Sequence, residues 1–460
     1  MAATAISSGT RPRLRRRSEL GLLVVGALVV IFAETLAFLG TFNRFPPNLA
    51  AFVLIVLVMG VGGHLANRWL APEADPILLP VVLVLNGLGF VMIQRLAPYA
   101  VTPQTAGRQA VWSALGLFAY ILTLLVIRRS RDLERYRYLL GLAALALLIL
   151  PLVPGFRDRG ADANGALLWV KLGPASFQPV EIGKLLLVIF FASYFTEKRE
   201  LLSMPTNRVG NHMLPDLRPF GPIAFAWLAS VAVIVMEKDI GFSALLFVLF
   251  ITMLWVTTGR WIYLVLGLAA FALGTFVASD ILHQVNQRIE VWLDPWKYAT
   301  GPPGSSTPGY QPAIGEVLMG KGGATGAGLG LGQAPIIPVA NSDFIFAAIG
   351  NELGLVGTTS IVVAFMMIVG SGLRIASRAR SEFAKLTSVG LTVVIGFQAF
   401  FIMGGVTRLL PLTGVTLPFV SYGGSSVVAN YILIALLVRI SHESSDQVVT
   451  SSHLLVGATA

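Results

Sequence analysis

No cysteine occurs in the 460 residues, which excludes disulfide bridges, cysteine nucleophiles and thiolate metal sites. Histidine is nearly as scarce. The five present are scattered and form no HExxH run, so no histidine-built metal centre is written into the chain. Charge is thin as well: 12% of residues are charged, against about 25% in soluble domains. Apolar residues reach 55% and mean hydropathy is +0.77. A water-soluble globule is therefore ruled out.

What the chain has in place of charge is long apolar runs. A helical span takes about 20 apolar residues, and candidate spans fall at 21–42, 48–66, 76–95, 110–127, 138–155, 180–197, 220–236, 240–258, 261–282, 343–372, 387–409 and 420–439. They predict an all-α, polytopic membrane bundle of about twelve helices. The first run is too long for the apolar core of a secretory signal and no small-residue cleavage site follows it, so it reads as a retained span. A net charge of +10 would suit nucleic acid if the basic residues shared one surface, but they flank the spans and act as topology signals, so no nucleic-acid partner is expected. With Arg11, Arg13, Arg15, Arg16 and Arg17 inside, the basic cluster at 128–137 and Arg374, Arg378, Arg380 and Lys385 fall on the same side, as the positive-inside rule asks. Both termini then face the cytoplasm, and loops 156–179 and 283–342 face outward. The chain divides into a basic arm (1–18), two further helices (19–75), a core (76–440) and a polar tail (441–460) read as short and mobile.

Two glycine motifs mislead. Gly315 to Lys321 matches the start of a phosphate loop, but Gly322 stands where Ser or Thr should hold magnesium and no strand precedes it. The run Gly326-Ala327-Gly328-Leu329-Gly330-Leu331-Gly332 imitates a dinucleotide fingerprint without its strand, helix or downstream acid. There, glycine serves tight turning of the loop against the membrane domain.

Ionisable residues at membrane depth are expensive and mark function by default. Glu181 and Lys184 start one span and share a helix face, as a site or as a structural ion pair. Asp239, in the Glu237-Lys238-Asp239 turn, either lies at the interface or joins them. Glu34 has no evident partner. Asp343 opens a long span straight from the large outer loop, with Asn341 or Ser342 suited to N-capping. A carboxylate there is either a general base at the outer surface or simply good first-turn design. Glu352 lies about 13 Å further along that helix, too far for a close dyad. In the last outer segment, Pro411, Pro418 and Gly423-Gly424 break the helix beside Ser425 and Ser426. Those hydroxyls either meet phosphate and sugar oxygens or bond their own helix.

Taken together, these segments resemble the SEDS family of cell-wall polymerases, the RodA and FtsW proteins. The matching residues are Asn164-Gly165-Ala166 with Trp169, running to Gln178-Pro179, Glu181 and Lys184; Asp239 and Gly241; Gly309-Tyr310-Gln311 through the Gly-rich run to Ser342-Asp343-Phe344 and Glu352-Leu353-Gly354; and Pro411, Thr413 and Gly414 to Ser426. The resemblance implies a ten-helix core with 21–42 and 48–66 as additions found in longer RodA-like members. It also implies polymerisation of lipid II, the undecaprenyl-pyrophosphate-linked disaccharide pentapeptide, at the outer face of a bacterial cytoplasmic membrane, with Asp343 as base. Lys184 and Arg108, with Arg408 third, are the expected cations for the pyrophosphate; Glu181, Asp239, Ser425 and Ser426 shape the substrate site. A divalent cation, Mg2+ or Mn2+, and a class B penicillin-binding protein partner are further implications.

The sequence departs from the family where Asn341 and Asn351 replace the common His and Glu, and residues 298–308 look rewritten. The rival function is a flippase for lipid-linked precursor, which needs polar residues carried through the bilayer. Spans 387–409 and 420–439 are read as offering almost none.

Overall fold

Apolar runs of this length fold as helices because only internal bonding satisfies the backbone in lipid. The structure is a computed structural model that describes residues 12–99, 105–153, 155–156, 168–172, 175–203, 205–209, 212–215, 221–236, 239–281, 283–300 and 307–457. Glu237, Lys238, Arg11, the Asn164-Gly165-Ala166 segment and residues 301–306 of the rewritten stretch lie outside them. The helices are α1 (Pro12–Phe42), α2 (Leu49–Leu70), α3 (Leu78–Leu96), α4 (Thr105–Val126), α5 (Asp132–Arg135), α6 (Arg137–Ile149), α7 (Val180–Ser203) and α8 (Gly221–Met236). There follow α9 (Ile240–Thr258), α10 (Ile262–Ile281), α11 (His283–Leu293), α12 (Pro295–Tyr298), α13 (Tyr310–Gly322), α14 (Ile345–Arg378), α15 (Glu382–Val406) and α16 (Gly424–Gly457). Among the described residues nine of these are long and apolar enough to cross a membrane. The other three expected spans coincide with α6, α7 and α8, which are shorter or carry more charge.

Local chemistry sets the helix ends. Asp239 caps α9, accepting from the Phe242 N–H at 3.0 Å, and Gly259 in the left-handed region (φ 68°) closes it. Helices approach closely where glycine faces a neighbour: Gly116 lies against the ring of Tyr431, and Gly89 against the Val420 backbone. The most buried helices, α15 and α16, form the middle of the bundle, while α10 turns Leu266, Leu268, Leu273 and Phe276 outward, where lipid tails would cover them.

Several expectations change. Among the described residues the long segment 283–342 contains three α-helices, α11 to α13, where a loop was expected. Two small antiparallel hairpins interrupt the all-α pattern, β1 (Val170–Leu172) with β2 (Ala175–Phe177) and β3 (Pro205–Val209) with β4 (His212–Pro215). Helix α1 begins within the basic arm, at Pro12, and Arg16 is buried beside Glu19. The tail does not leave the bundle at Ser441. Helix α16 continues, with the Ser441 hydroxyl accepting from Asp75 N–H (3.0 Å) and Glu443 from Ser130.

Candidate active site

Two cavities meet at one carboxylate. The larger, about 920 Å³, is walled by Arg108 and Trp112 of α4, Trp169, Gln178, Asp343, Tyr422, Ser425 and Ser426. The smaller, about 220 Å³, is walled by Gln287, Arg288, Trp292, Gln311, Arg408 and again Asp343. Among the described residues Asp343 is the single carboxylate on either wall.

Asp343 precedes α14 and caps nothing: the helix starts at Ile345 after Phe344, with no side-chain cap and no acid in its first turn. The reading of Asp343 as ordinary first-turn design therefore fails, and so does N-capping by Asn341 or Ser342. The segment is instead pinned from α16's entry. The Ser421 hydroxyl donates to the Ser342 carbonyl at 2.6 Å, and Tyr422 N–H to the Asn341 carbonyl at 2.8 Å. Phe344, fully buried, packs against Gly315 of α13, where a Cβ would strike its ring. Burial pushes the Asp343 carboxyl above the ordinary carboxylate value, opposed by the Ser342 hydroxyl and the positive charge of Arg288.

Arg288 was not singled out from the sequence. It projects from α11 and donates to the carbonyls of Leu412 (3.3 Å) and Thr413 (3.1 Å). Burial lowers its pKa, while Asp239 and Asp343 both act to hold its proton. It thus stands electrostatically between two carboxyl groups. Its signal in the sequence was faint: a basic residue one helical turn before Val291-Trp292 reads as a solvated position.

Glu181 and Lys184 are brought together but not to a cavity wall. The fully buried Lys184 Nζ lies 2.5 Å from Glu181 Oε2 and 2.7 Å from Gln398 Oε1, over the ring of Phe242. Gln398 in turn donates to the Thr416 carbonyl at 3.0 Å, and the Thr416 hydroxyl bonds Ser426 Oγ at 2.9 Å. The pair therefore braces the wall from behind. Asp239 is also buried off the wall. Burial first, and the negative charge of Glu181 further down, push its carboxyl up to about 6, against the pull of the Phe242 N–H and Arg288.

Ser425 Oγ accepts from Gln178 N–H at 2.9 Å, tying the start of α7 to the cavity rim. Arg108 faces the large cavity, whereas Arg408 faces the small one and is paired with Glu316 at 2.9 Å. Glu34 does find a partner, accepting from Gln94 at 2.7 Å. Helices α15 and α16 hold more polar side chains than expected, since Thr387, Ser388, Thr392, Gln398 and Asn430 are all buried. Gln398 and Asn430, however, bond into the same Thr416–Ser426 network. For the expected Mg2+ or Mn2+, no group of three His, Cys, Asp or Glu gathers among the described residues.

Comparison with known proteins gives a consistent picture. A family model for cell cycle proteins of the FtsW, RodA and SpoVE type matches residues 76–446. The peptidoglycan glycosyltransferase RodA of Mycobacterium tuberculosis is 41% identical over 434 residues, covering 93% of this chain and 91% of its own length. The protein of that name from Mycobacterium leprae is 38% identical over 445 residues, covering 95% and 93%. Among solved structures, a peptidoglycan synthase complex described as coordinating polymerization and crosslinking contains a chain that is 27% identical with a TM-score of 0.65, covering 80% of this chain and 98% of that one. The rod shape determining protein RodA of Thermus thermophilus is similar at 26% identity and a TM-score of 0.58, covering 82% and 98%.

Proposed function

From the premise that this chain belongs to the FtsW, RodA and SpoVE family of cell cycle proteins, we propose that it is a peptidoglycan glycosyltransferase that polymerises lipid II with Asp343 as general base. The observation that carries the assignment of the base is the position of that carboxylate. It alone, among the acids of the described residues, lines both cavities, and burial holds its pKa above the ordinary carboxylate value, which makes it a better proton acceptor.

The acceptor is the 4-hydroxyl of the GlcNAc of an incoming lipid II. Asp343 takes its proton as the oxygen attacks the anomeric carbon of the growing strand, and the bond from that carbon to the pyrophosphate breaks with its electron pair. One displacement inverts the anomeric centre. Negative charge develops on the departing undecaprenyl pyrophosphate, and Arg108 is the cation on the wall of the cavity large enough for sugars. Trp112 and Trp169 offer flat apolar faces for sugar rings, and Ser425 and Ser426 offer hydroxyls. Arg288 acts beside the base and favours its ionised form. Glu181, Lys184 and Asp239 hold the wall.

The same reading places the enzyme in the cytoplasmic membrane of a bacterium with both termini in the cytoplasm and the site outside, supported by the alternation of basic loops. A crosslinking partner, a class B penicillin-binding protein, fits the synthase complex that contains the similar chain. Elongation is the role favoured by the likeness to RodA proteins. The test is direct: purified protein, with and without such a partner, is given labelled lipid II and glycan polymer is measured. Polymer from the wild type and its loss in Asp343→Asn support the assignment; full polymer from the variant removes Asp343 from the role of base.

A further inference from the structure

Helices α1 and α2 precede the stretch matched by the family model, and nothing in the reaction calls for them. Yet α1 is fastened at both ends. Near its N-terminus the fully buried Glu19 faces His64 at 2.9 Å, accepts from Asn67 at 3.2 Å and pairs with Arg16, which also reaches the Ala74 carbonyl. Near its C-terminus the contact is backbone on backbone. A Cβ on Gly40 would collide with the Leu329 carbonyl, and a Cβ on Gly330 would sit 2.7 Å from Thr41 N. Leu329 packs into the small apolar cluster built on Val30, Ala33 and Ala37.

The loop that α1 touches is held from its other side by α14. The Gly330 N–H donates to Glu352 Oε2 at 2.8 Å, the Gly328 N–H to the Glu352 carbonyl at 3.0 Å, and the Gln333 N–H to Asn351 Oδ1 at 2.8 Å. Arg95 of α3 lies 3.3 Å from Glu352 and donates to the Gly332 carbonyl. Asn351 also donates to the Leu318 carbonyl of α13 at 2.9 Å. That helix packs on Phe344, the residue after Asp343.

We propose that α1 is a positioning element of the polymerase: its C-terminal end presses the loop 326–333 onto Glu352, fixing the α13–Phe344 corner on which Asp343 stands. The proposal rests on the glycosyltransferase reading above. Glu352 and Gly40 act through this packing and touch no substrate, so both are positioning residues. A displacement of about 1 Å at a reacting group can cost on the order of a hundredfold in rate.

The test uses the full chain. Gly40→Ala adds a methyl group at the α1–loop contact, and Gly21→Ala on the same helix, with nothing within 4 Å of the added carbon, is the control. Gly40→Ala is expected to lower kcat for lipid II polymerisation by roughly tenfold to a hundredfold with KM within about threefold. Hydrogen exchange should rise in the peptide 326–333, and Gly21→Ala should match the wild type. Should Gly40→Ala fail to fold, Leu329→Ala keeps the backbone contact but removes the side chain packed on the Val30, Ala33 and Ala37 cluster, loosening the same α1–loop junction without a collision, and is expected to act in the same direction. Glu352→Gln, which keeps an acceptor for the Gly330 N–H, should retain more activity than Glu352→Ala. Wild-type kcat and exchange in both Gly40→Ala and Leu329→Ala, or an equal loss in Gly21→Ala, would overturn the proposal while leaving the enzyme reading intact. A wild-type protein that makes no polymer would instead sink the enzyme reading itself.

Discussion

Replacing Asp343 by Asn keeps the shape of the side chain and removes its ability to accept a proton. General-base catalysis is worth about 10²- to 10⁴-fold, or roughly 3–5 kcal/mol of transition-state stabilisation, and kcat should fall by that factor with little change in KM. The pH profile gives a sharper check. Because burial raises the carboxyl's pKa in the folded protein, the wild-type rate should decline on the acid side at a pH above the ordinary aspartate value of 3.8, and Asp343→Asn should lack that limb. Arg288 lowers the same pKa, so Arg288→Gln should move the limb toward higher pH. The stability consequence has the opposite sign to the activity. A raised folded-state pKa means that the fold favours the protonated acid; stability present below the ordinary value is lost as pH rises toward the raised one. Asp343→Asn should therefore unfold at a higher temperature than the wild type at neutral pH, even as it loses activity. The assay is polymerisation of labelled lipid II across pH, alongside thermal unfolding in the same detergent. A variant within threefold of wild-type rate, or an acid limb that ignores Arg288→Gln, would refute the reasoning.

Lys184→Met strands Glu181 in a buried site and should cost about 3–5 kcal/mol; the double change Glu181→Gln with Lys184→Met should cost less, as thermal unfolding will show. Gly354→Ala forces a side chain into the left-handed kink of α14 (φ 64°), with a Cβ driven against Gly326 and Ala324. A destabilisation of about 1–3 kcal/mol, together with lost polymerisation, is expected. Arg108→Ala removes a cation from the large cavity without disturbing a described hydrogen bond, so polymerisation should fall by roughly tenfold or more while the melting temperature holds.

The helical spans were legible because apolar length and basic flanks are one-dimensional signals; a described helix falls at each of the twelve places, and nine of them are long and apolar enough to cross a membrane. The structure brings Asp343, Arg108, Ser425 and Ser426 to one cavity wall; the sequence joined them only through the family resemblance, because each charge or hydroxyl beside apolar depth also had a plain structural reading. Lys184 shows where such reasoning stops. Three-residue spacing correctly pairs it with Glu181 on one face of α7, but which neighbour that face meets is set by Gln398, 214 residues away. The ammonium is taken up by Glu181 and Gln398. Arg288 shows the converse. Its importance comes from the carbonyls of Leu412 and Thr413 and the fields of Asp239 and Asp343, and none of these lies near it in the chain.

Asn351 carries the last step. In the family pattern an acid stands there beside Glu352, and its replacement makes the region less ionisable. In the structure both ends of its amide are used, the oxygen accepting from Gln333 N–H and the nitrogen donating to the Leu318 carbonyl. An ionised glutamate could accept the first bond and could not make the second. The substitution therefore adds a tie between the Gly-rich loop, α13 and α14 while Glu352 alone takes the Gly330 N–H and faces Arg95. The two acids at the start of this long helix are thus divided by environment. Asp343 stands at the junction of two cavities, and Glu352, sealed under glycine backbone, accepts from the Gly330 N–H and faces Arg95.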